Sequence, residues 1–194
     1  MRVVLAGQKW FGEAVGNLLV SLGIEVALVV TPKGDRLEDF ADRHELSCEP
    51  ELRNIPQGCD LILCAHHHGF ISQELREQTR YGALGFHPSL LPRHRGRDAI
   101  EWAIRFGDPV TGGTVYWFDD RADAGPIAAQ EAVHIPKNIT AAELWREHLQ
   151  PLGLKLFKRV LRNLQNGIVI AEAQNEDLAT WEPRIESKRL AEHA

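Results

Sequence analysis

The sequence predicts an α/β fold, a mostly parallel sheet with helices on both faces. Three observations predict it. Strand-like and helix-like patterns alternate from the first residue. The strand candidates are short apolar runs, as expected of strands buried on both faces. No repeat, low-complexity tract or linker divides the 194 residues, a length that suits one domain with its own core.

The elements follow in order. Val3-Val4-Leu5-Ala6 is a first strand ending at Gly7. Phe11, Ala14, Val15, Leu18, Leu19 and Leu22 recur at helical spacing, and Gly23 stops that helix. Val26 to Val30 is a β-branched strand closed by the turn-forming Thr31-Pro32-Lys33-Gly34-Asp35. Leu37, Phe40 and Ala41 predict a short helix, Leu61 to Cys64 a buried strand, Ile71 and Leu75 a helix, and Ala83 to Phe86 a strand. Then the character changes: Thr114 to Phe118 reads as a strand, Asp119 to Gly125 as a loop, Ile127 to Val133 as a strand. Thr140 and Glu143 have the spacing of a capping box, so a helix starts there. Leu144, Leu149, Leu152, Leu156, Val160 and Leu164 carry it to Asn166-Gly167, with Lys155, Lys158, Arg159 and Arg162 toward the negative end of its dipole. Pro151 is expected to kink this helix or to start a second one. Beyond about Thr180 the chain is expected to be a polar, mobile tail.

Composition narrows the function. Hydrophobic residues make up 44% and charged residues 25%, ordinary for a soluble globular protein. Lys and Arg total 22 against 27 Asp and Glu, a net charge of −5, so nucleic acid is an unlikely partner. Met1 leads into Arg2-Val3-Val4-Leu5-Ala6, too short for a signal-peptide core, and no run approaches the roughly 18 apolar residues of a membrane span. Cys48, Cys59 and Cys64 have no metal-site spacing and read as free thiols of a reducing, cytoplasmic compartment. No metal is expected.

Gly7-Gln8-Lys9-Trp10-Phe11-Gly12 lies where nucleotide-binding proteins place a Gly-rich loop. It is neither G-x-G-x-x-G nor a P-loop, and a tight turn with close helix packing is the better reading. The informative segment is Gly85-Phe86-His87-Pro88-Ser89-Leu90-Leu91-Pro92-Arg93-His94-Arg95-Gly96. It puts a His at the carboxyl end of a parallel strand, where open α/β sheets bind ligands. Asp119-Asp120-Arg121-Ala122-Asp123 places three carboxylates in a later loop. From spacing alone, His87 with one of these Asp residues is either an acid–base pair or a structural His beside a solvated acidic loop.

His87-Pro88-Ser89-Leu90-Leu91-Pro92 with Arg95-Gly96, followed by Asp123-x-Gly125-Pro126-Ile127, resembles the signature of the folate-dependent formyltransferase family. Gly7-Gln8-x-x-Phe11-Gly12, Ala99-Ile100-x-Trp102 and Tyr116-Trp117-x-Asp119-Asp120 are similar to the amino-terminal hydrolase domain of 10-formyltetrahydrofolate dehydrogenase, a domain that shares its fold with methionyl-tRNA formyltransferase. The similarity runs over roughly residues 2 to 185. It implies a Rossmann-like formyltransferase fold, with a catalytic domain at residues 1–185 and a polar tail at 186–194. It also implies a cytoplasmic enzyme with 10-formyltetrahydrofolate as co-substrate.

The implied chemistry is attack of an amine, or of water, on the formyl carbon at N10 of the folate. His87 would manage protons, and Asp123 would orient His87 or a water. The pterin would lie against His66-His67-His68-Gly69-Phe70-Ile71, chiefly His68, Gly69, Phe70 and Ile71, and against Asp119 and Ala122. Three adjacent His on an extended segment cannot easily share one metal. Arg97 and Asp98 follow the Arg95-Gly96 turn and form a candidate acceptor-binding pair, with a surface ion pair as the alternative. Many relatives carry Asn two residues before the His as an oxyanion donor; here Gly85 stands there. Its missing side chain is expected to leave room for an ordered water, as donor or as nucleophile, unless a positive φ requires the glycine. The acceptor is expected to be a small-molecule amine. Hydrolysis to formate, and folate binding with weak catalysis, are the alternatives.

Overall fold

The structure, a computed structural model, describes residues 1–185. Seven strands form one sheet in the order β3-β2-β1-β4-β5-β6-β7. The strands are β1 (Arg2–Gly7), β2 (Glu25–Val30), β3 (Cys48–Glu49), β4 (Leu61–Ala65), β5 (Ala83–His87), β6 (Val110–Trp117) and β7 (Ile127–His134). The first five are parallel; β6 runs antiparallel to β5, and β7 antiparallel to β6. The chain moves outward from β1 to β3, then crosses to β4 on the other side. Right-handed crossovers therefore put the first helices on one face and the helix between β4 and β5 on the other.

Those helices are α1 (Lys9–Ser21), α2 (Arg36–Arg43) and α3 (Gln73–Arg76). Period-two alternation in β1 sends Val3 and Leu5 to one face and Val4 and Ala6 to the other. The first face packs on Phe11, Val15 and Leu19 of α1, Leu37 and Phe40 of α2, and Leu156, Phe157 and Val160 of a later helix. The second face is covered more thinly, by Ile71, Cys59 and the half-buried Leu52, Ile55 and Leu75. Asp35 ties the two first-face helices together. Its carboxylate accepts from Leu37 N at the start of α2, and both of its oxygens accept from Lys9 N at the start of α1 (2.8 and 3.0 Å).

The structure departs from the sequence reading in several places. The segment at Ile71–Leu75 holds only one helical turn, α3. Strand β3 and helix α4 (Ala99–Arg105) were not expected. The capping box forms as read: Thr140 accepts from Glu143 N, and Glu143 accepts from Thr140 N. The helix it opens keeps a right-handed helical backbone throughout but changes its hydrogen-bond pattern. It runs as α5 (Ala141–Glu143), a π-helical turn (Leu144–Leu149) and α6 (Gln150–Gln165). Pro151 lies where the π-helical turn passes into α6, within one unbroken helical run, so it opens no separate helix; the hydrogen-bond pattern changes beside the residue whose N–H is missing.

The polar tail read from Thr180 onward is corrected for residues 180–185, which dock. Thr180 N donates to Pro92 O, Arg95 N to Thr180 O and Ile185 N to Asp98 Oδ2. Residues 186–194 lie outside the described residues. No helix among the described residues is long and apolar enough to cross a membrane.

Candidate active site

A cavity of about 900 Å³ opens at the carboxyl ends of β4 and β5. It lies beside the point where the strand order reverses between β1 and β4, the usual place for a ligand in an open α/β sheet. All ten residues singled out from the sequence border it: His68, Gly69, Phe70, Ile71, His87, Arg97, Asp98, Asp119, Ala122 and Asp123.

His87 is the last residue of β5 and is paired with Thr114 of β6. The loop after it is tied to the sheet. Thr114 Oγ1 donates to Ser89 O (2.7 Å) and accepts from Leu91 N (3.2 Å), while Gln130 Nε2 donates to Leu91 O (2.9 Å). The side chain is 8% exposed. Its Nε2 lies 2.7 Å from the carbonyl of His94, held in a left-handed conformation (φ 57°). A carbonyl only accepts, so Nε2 carries the hydrogen, and the neutral ring has a bare Nδ1. That Nδ1 is 3.7 Å from Asp123 Oδ2.

Asp123 is fixed by its own network. Oδ1 accepts from the Tyr116 hydroxyl (2.6 Å) and Oδ2 from Gly96 N (2.7 Å). Its backbone is left-handed (φ 53°), and Gln174 Nε2 holds that bend by donating to both Asp123 O (2.9 Å) and Gly125 O (2.8 Å). Gly125 is required: a Cβ there would lie 2.9 Å from the Trp117 carbonyl carbon. Gln174 Oε1 in turn accepts from Nε and Nη2 of the buried Arg95, whose guanidinium also meets Glu176.

The segment 172–185 thus straps both site loops. Glu172 pairs with Ile127, Trp181 packs on Gly96, and Trp102 Nε1 donates to Pro183 O (2.9 Å). Sequence reading missed Tyr116, Gln174, Glu182 and the docking role of Arg95 and His94. Tyr116 and Arg95 sit inside the quoted motifs, which was their only signal. Gln174 and Glu182 stand in a polar stretch with none.

The remaining expectations meet the structure unevenly. Gly85 does not leave a void. A Cβ there would fall 2.7 Å from Cζ of Phe118, whose ring fills the space expected to hold a water; Gly85 is also not in a positive-φ conformation. Phe118 gets there because its N–H donates to Ala83 O and its ring packs on Tyr116, centroids 5.2 Å apart. The glycine accommodates an aromatic ring, and the ordered-water reading falls.

Arg97 and Asp98 both face the cavity, but Asp98 uses one oxygen on Ile185 N. Burial, then Arg97 and Lys9, lower the pKa of His68. Burial, then His68 and Lys9, lower that of His66 to about 4. His66 and His68 meet edge to face, and this wall is therefore a neutral aromatic surface near pH 7. Among the described residues no group of three or more His, Cys, Asp or Glu converges to hold a metal. At the Gly7–Gly12 turn the Asp35 carboxylate already takes the start of α1, where a phosphate would otherwise be attracted; the tight-turn reading fits.

Comparison with known proteins gives the family. The formyl transferase family model matches residues 7–161. Human mitochondrial 10-formyltetrahydrofolate dehydrogenase is 32% identical over 99% of this chain and 23% of its own length. Methionyl-tRNA formyltransferase of Acidobacterium capsulatum is 30% identical over 94% of this chain and 65% of its own. Among solved structures, phosphoribosylglycinamide formyltransferase from Bacillus halodurans is 26% identical with a TM-score of 0.71, covering 84% of this chain and 95% of that one. The chain spans about a quarter of the length of the first curated relatives it matches. With more than half of the chain inside the family model and the paired His and Asp loops meeting over one cavity, this chain belongs to the formyl transferase family.

Proposed function

We propose that this chain transfers the formyl group of 10-formyltetrahydrofolate to the amine of a small-molecule acceptor, with His87 and Asp123 handling the proton. The observation that carries the reading is the state of His87. Its Nε2 hydrogen is committed to His94 O, which leaves Nδ1 bare at the cavity wall beside an acidic oxygen. The folate supplies an activated formyl carbon. As the amine attacks that carbon it becomes acidic, and Nδ1 accepts its proton; the 3.7 Å gap to Asp123 Oδ2 then becomes an attractive contact between imidazolium and carboxylate. The proton is returned to N10 of the leaving folate, so His87 ends as it began. Tyr116 and Gly96 N keep Asp123 from turning away.

The cavity walls suit such a co-substrate. Phe70, Ile71 and Phe118 give it apolar surface, and Asp119 and Asp123 give it polar edges for a pterin. Arg97 and Asp98 are the residues we assign to the acceptor side. A second reading, hydrolysis to formate, is favoured by the similarity of nearly the whole chain to 10-formyltetrahydrofolate dehydrogenases. Incubation with 10-formyltetrahydrofolate and a metabolite pool decides between them. A gain of about 28 Da on one amine, read by mass spectrometry, supports transfer. Formate release without any such product supports hydrolysis. An intact donor after prolonged incubation removes both.

A further inference from the structure

We propose that Tyr116 is a positioning residue for this reaction, acting through Asp123 on His87. The inference rests on the formyl-transfer reading above. Register places Tyr116 on β6 opposite Gly85 of β5, and the loop that follows folds back so that Asp123 returns to its hydroxyl. The backbone of Asp123 is already set by Gln174, so only its side-chain torsions remain to be fixed. Gly96 N holds Oδ2 and the Tyr116 hydroxyl holds Oδ1. With one donor on each oxygen the carboxylate plane is determined, and Oδ2 stays within reach of Nδ1. With Tyr116 gone, a single main-chain amide holds one oxygen, and the group can swing about it.

The hydroxyl is suited to this task. Tyr116 is buried, in surroundings where a hydrogen bond to a charged acceptor is strong. The charged and titratable groups around the pair come from three elements: His87 on β5, Cys64 on β4, and Asp119 in the loop after β6. Burial pushes the Cys64 thiol up to about 12, so it adds no charge near neutrality. Burial, then the negative charge of Asp123, raises the Tyr116 phenol well above its usual value, so it remains a donor at any working pH. A glycine at position 85 is part of the same arrangement: it admits Phe118, whose ring supports the face of Tyr116.

A double-mutant cycle tests the assignment. Wild type, Tyr116→Phe, Asp123→Asn and the double variant are compared in single-turnover consumption of 10-formyltetrahydrofolate. The acceptor is the one found by mass spectrometry, or water if formate is the product. Thermal midpoints confirm that each variant is folded. Tyr116→Phe should lower the rate about tenfold with the apparent KM for the folate changed by less than about twofold, and in the Asp123→Asn background it should change the rate by less than about twofold. An unchanged rate in Tyr116→Phe overturns the proposal. So does the same loss in both backgrounds, because Tyr116 would then act independently of Asp123. In both cases an active wild type leaves the formyl-transfer reading standing. A wild type that consumes no 10-formyltetrahydrofolate fails at the earlier step and takes this assignment with it.

Discussion

Two buried histidines end the two sides of one loop, one at the cavity and one enclosed in the scaffold. His87 spends one ring nitrogen on a main-chain carbonyl and keeps the other bare toward the cavity. His94, 2% exposed, sits between two carboxylates. Its Nε2 is hydrogen-bonded to Asp108 Oδ2 (2.9 Å), and its Nδ1 lies 3.0 Å from Glu182 Oε2, close enough for an ion pair though not aligned as a hydrogen bond. Phe106 stacks on its ring. The residue type is the same, and burial is nearly the same. What differs is the setting: the His94 ring is enclosed between Asp108 and Glu182, whereas His87 borders the cavity with its Nδ1 3.7 Å from Asp123. His94 belongs to the scaffold, and its carbonyl sets the tautomer of His87, the residue to which we assign proton exchange.

The largest expected effect tests that contrast directly. His87→Ala should lower formyl turnover about 10²-fold or more while the protein stays folded and still binds a folate analogue, measured by single-turnover kinetics and calorimetric titration. His94→Ala should reverse the pattern. It leaves Asp108 and Glu182 facing each other without the ring between them, and unfolding should become easier by about 2–4 kcal/mol in urea titration. If His94→Ala keeps the wild-type midpoint, the scaffold role is wrong.

A somewhat smaller effect is expected at Gly85. The missing side chain was read from the sequence as space for a water, and Phe118 occupies it. Gly85→Ala should therefore destabilise by about 1–3 kcal/mol through overpacking, and Phe118→Leu in the same chain should restore part of the loss. A neutral Gly85→Ala would mean that the ring moves aside freely.

The smallest effect concerns pH. Burial alone would raise the Asp108 carboxyl, but hydrogen bonds from Arg93 and His94 outweigh it and hold the group below the usual carboxylate range. A depressed carboxyl stabilises the fold above its unfolded value of about 4 and loses that contribution as pH falls through the folded value. Asp108→Asn should thus be less stable than wild type at pH 6, and the gap should close toward pH 3, read from urea midpoints at each pH. A gap that widens on acidification would show that Asp108 is not the group that titrates.

The contrast also marks how far the sequence could be read. His87 was legible because its neighbours Pro88, Ser89, Leu90, Leu91 and Pro92 form a motif, and because a His at the end of an apolar strand has few places to go. Strands β1, β2, β4 and β5 were legible from their apolar runs, and the Thr140–Glu143 cap from its spacing. His94 sits in the same motif but carries no sign of which carboxylates it will meet: Asp108 lies in the turn after α4, and Glu182 in a stretch read as free tail. Gly85 was misread because a glycine says that something comes close without saying what. The π-helical turn before Pro151 has no periodic signature that separates it from an ordinary helix.

The strap of residues 172–185 imposes an order on folding. Its bonds reach back over 81, 86 and 87 positions, from Glu176 to Arg95, Thr180 to His94 and Ile185 to Asp98. Closing loops of that length costs entropy that is recovered only after the sheet beneath has formed. During synthesis the five parallel strands can pair while these residues are still inside the ribosome. Until the strap docks, the loops bearing His87 and Asp123 lack these ties even where the strands beneath them are paired. Under the proposed reading, a folate that bound only the clamped arrangement would draw the chain toward it by mass action and so stabilise the strap.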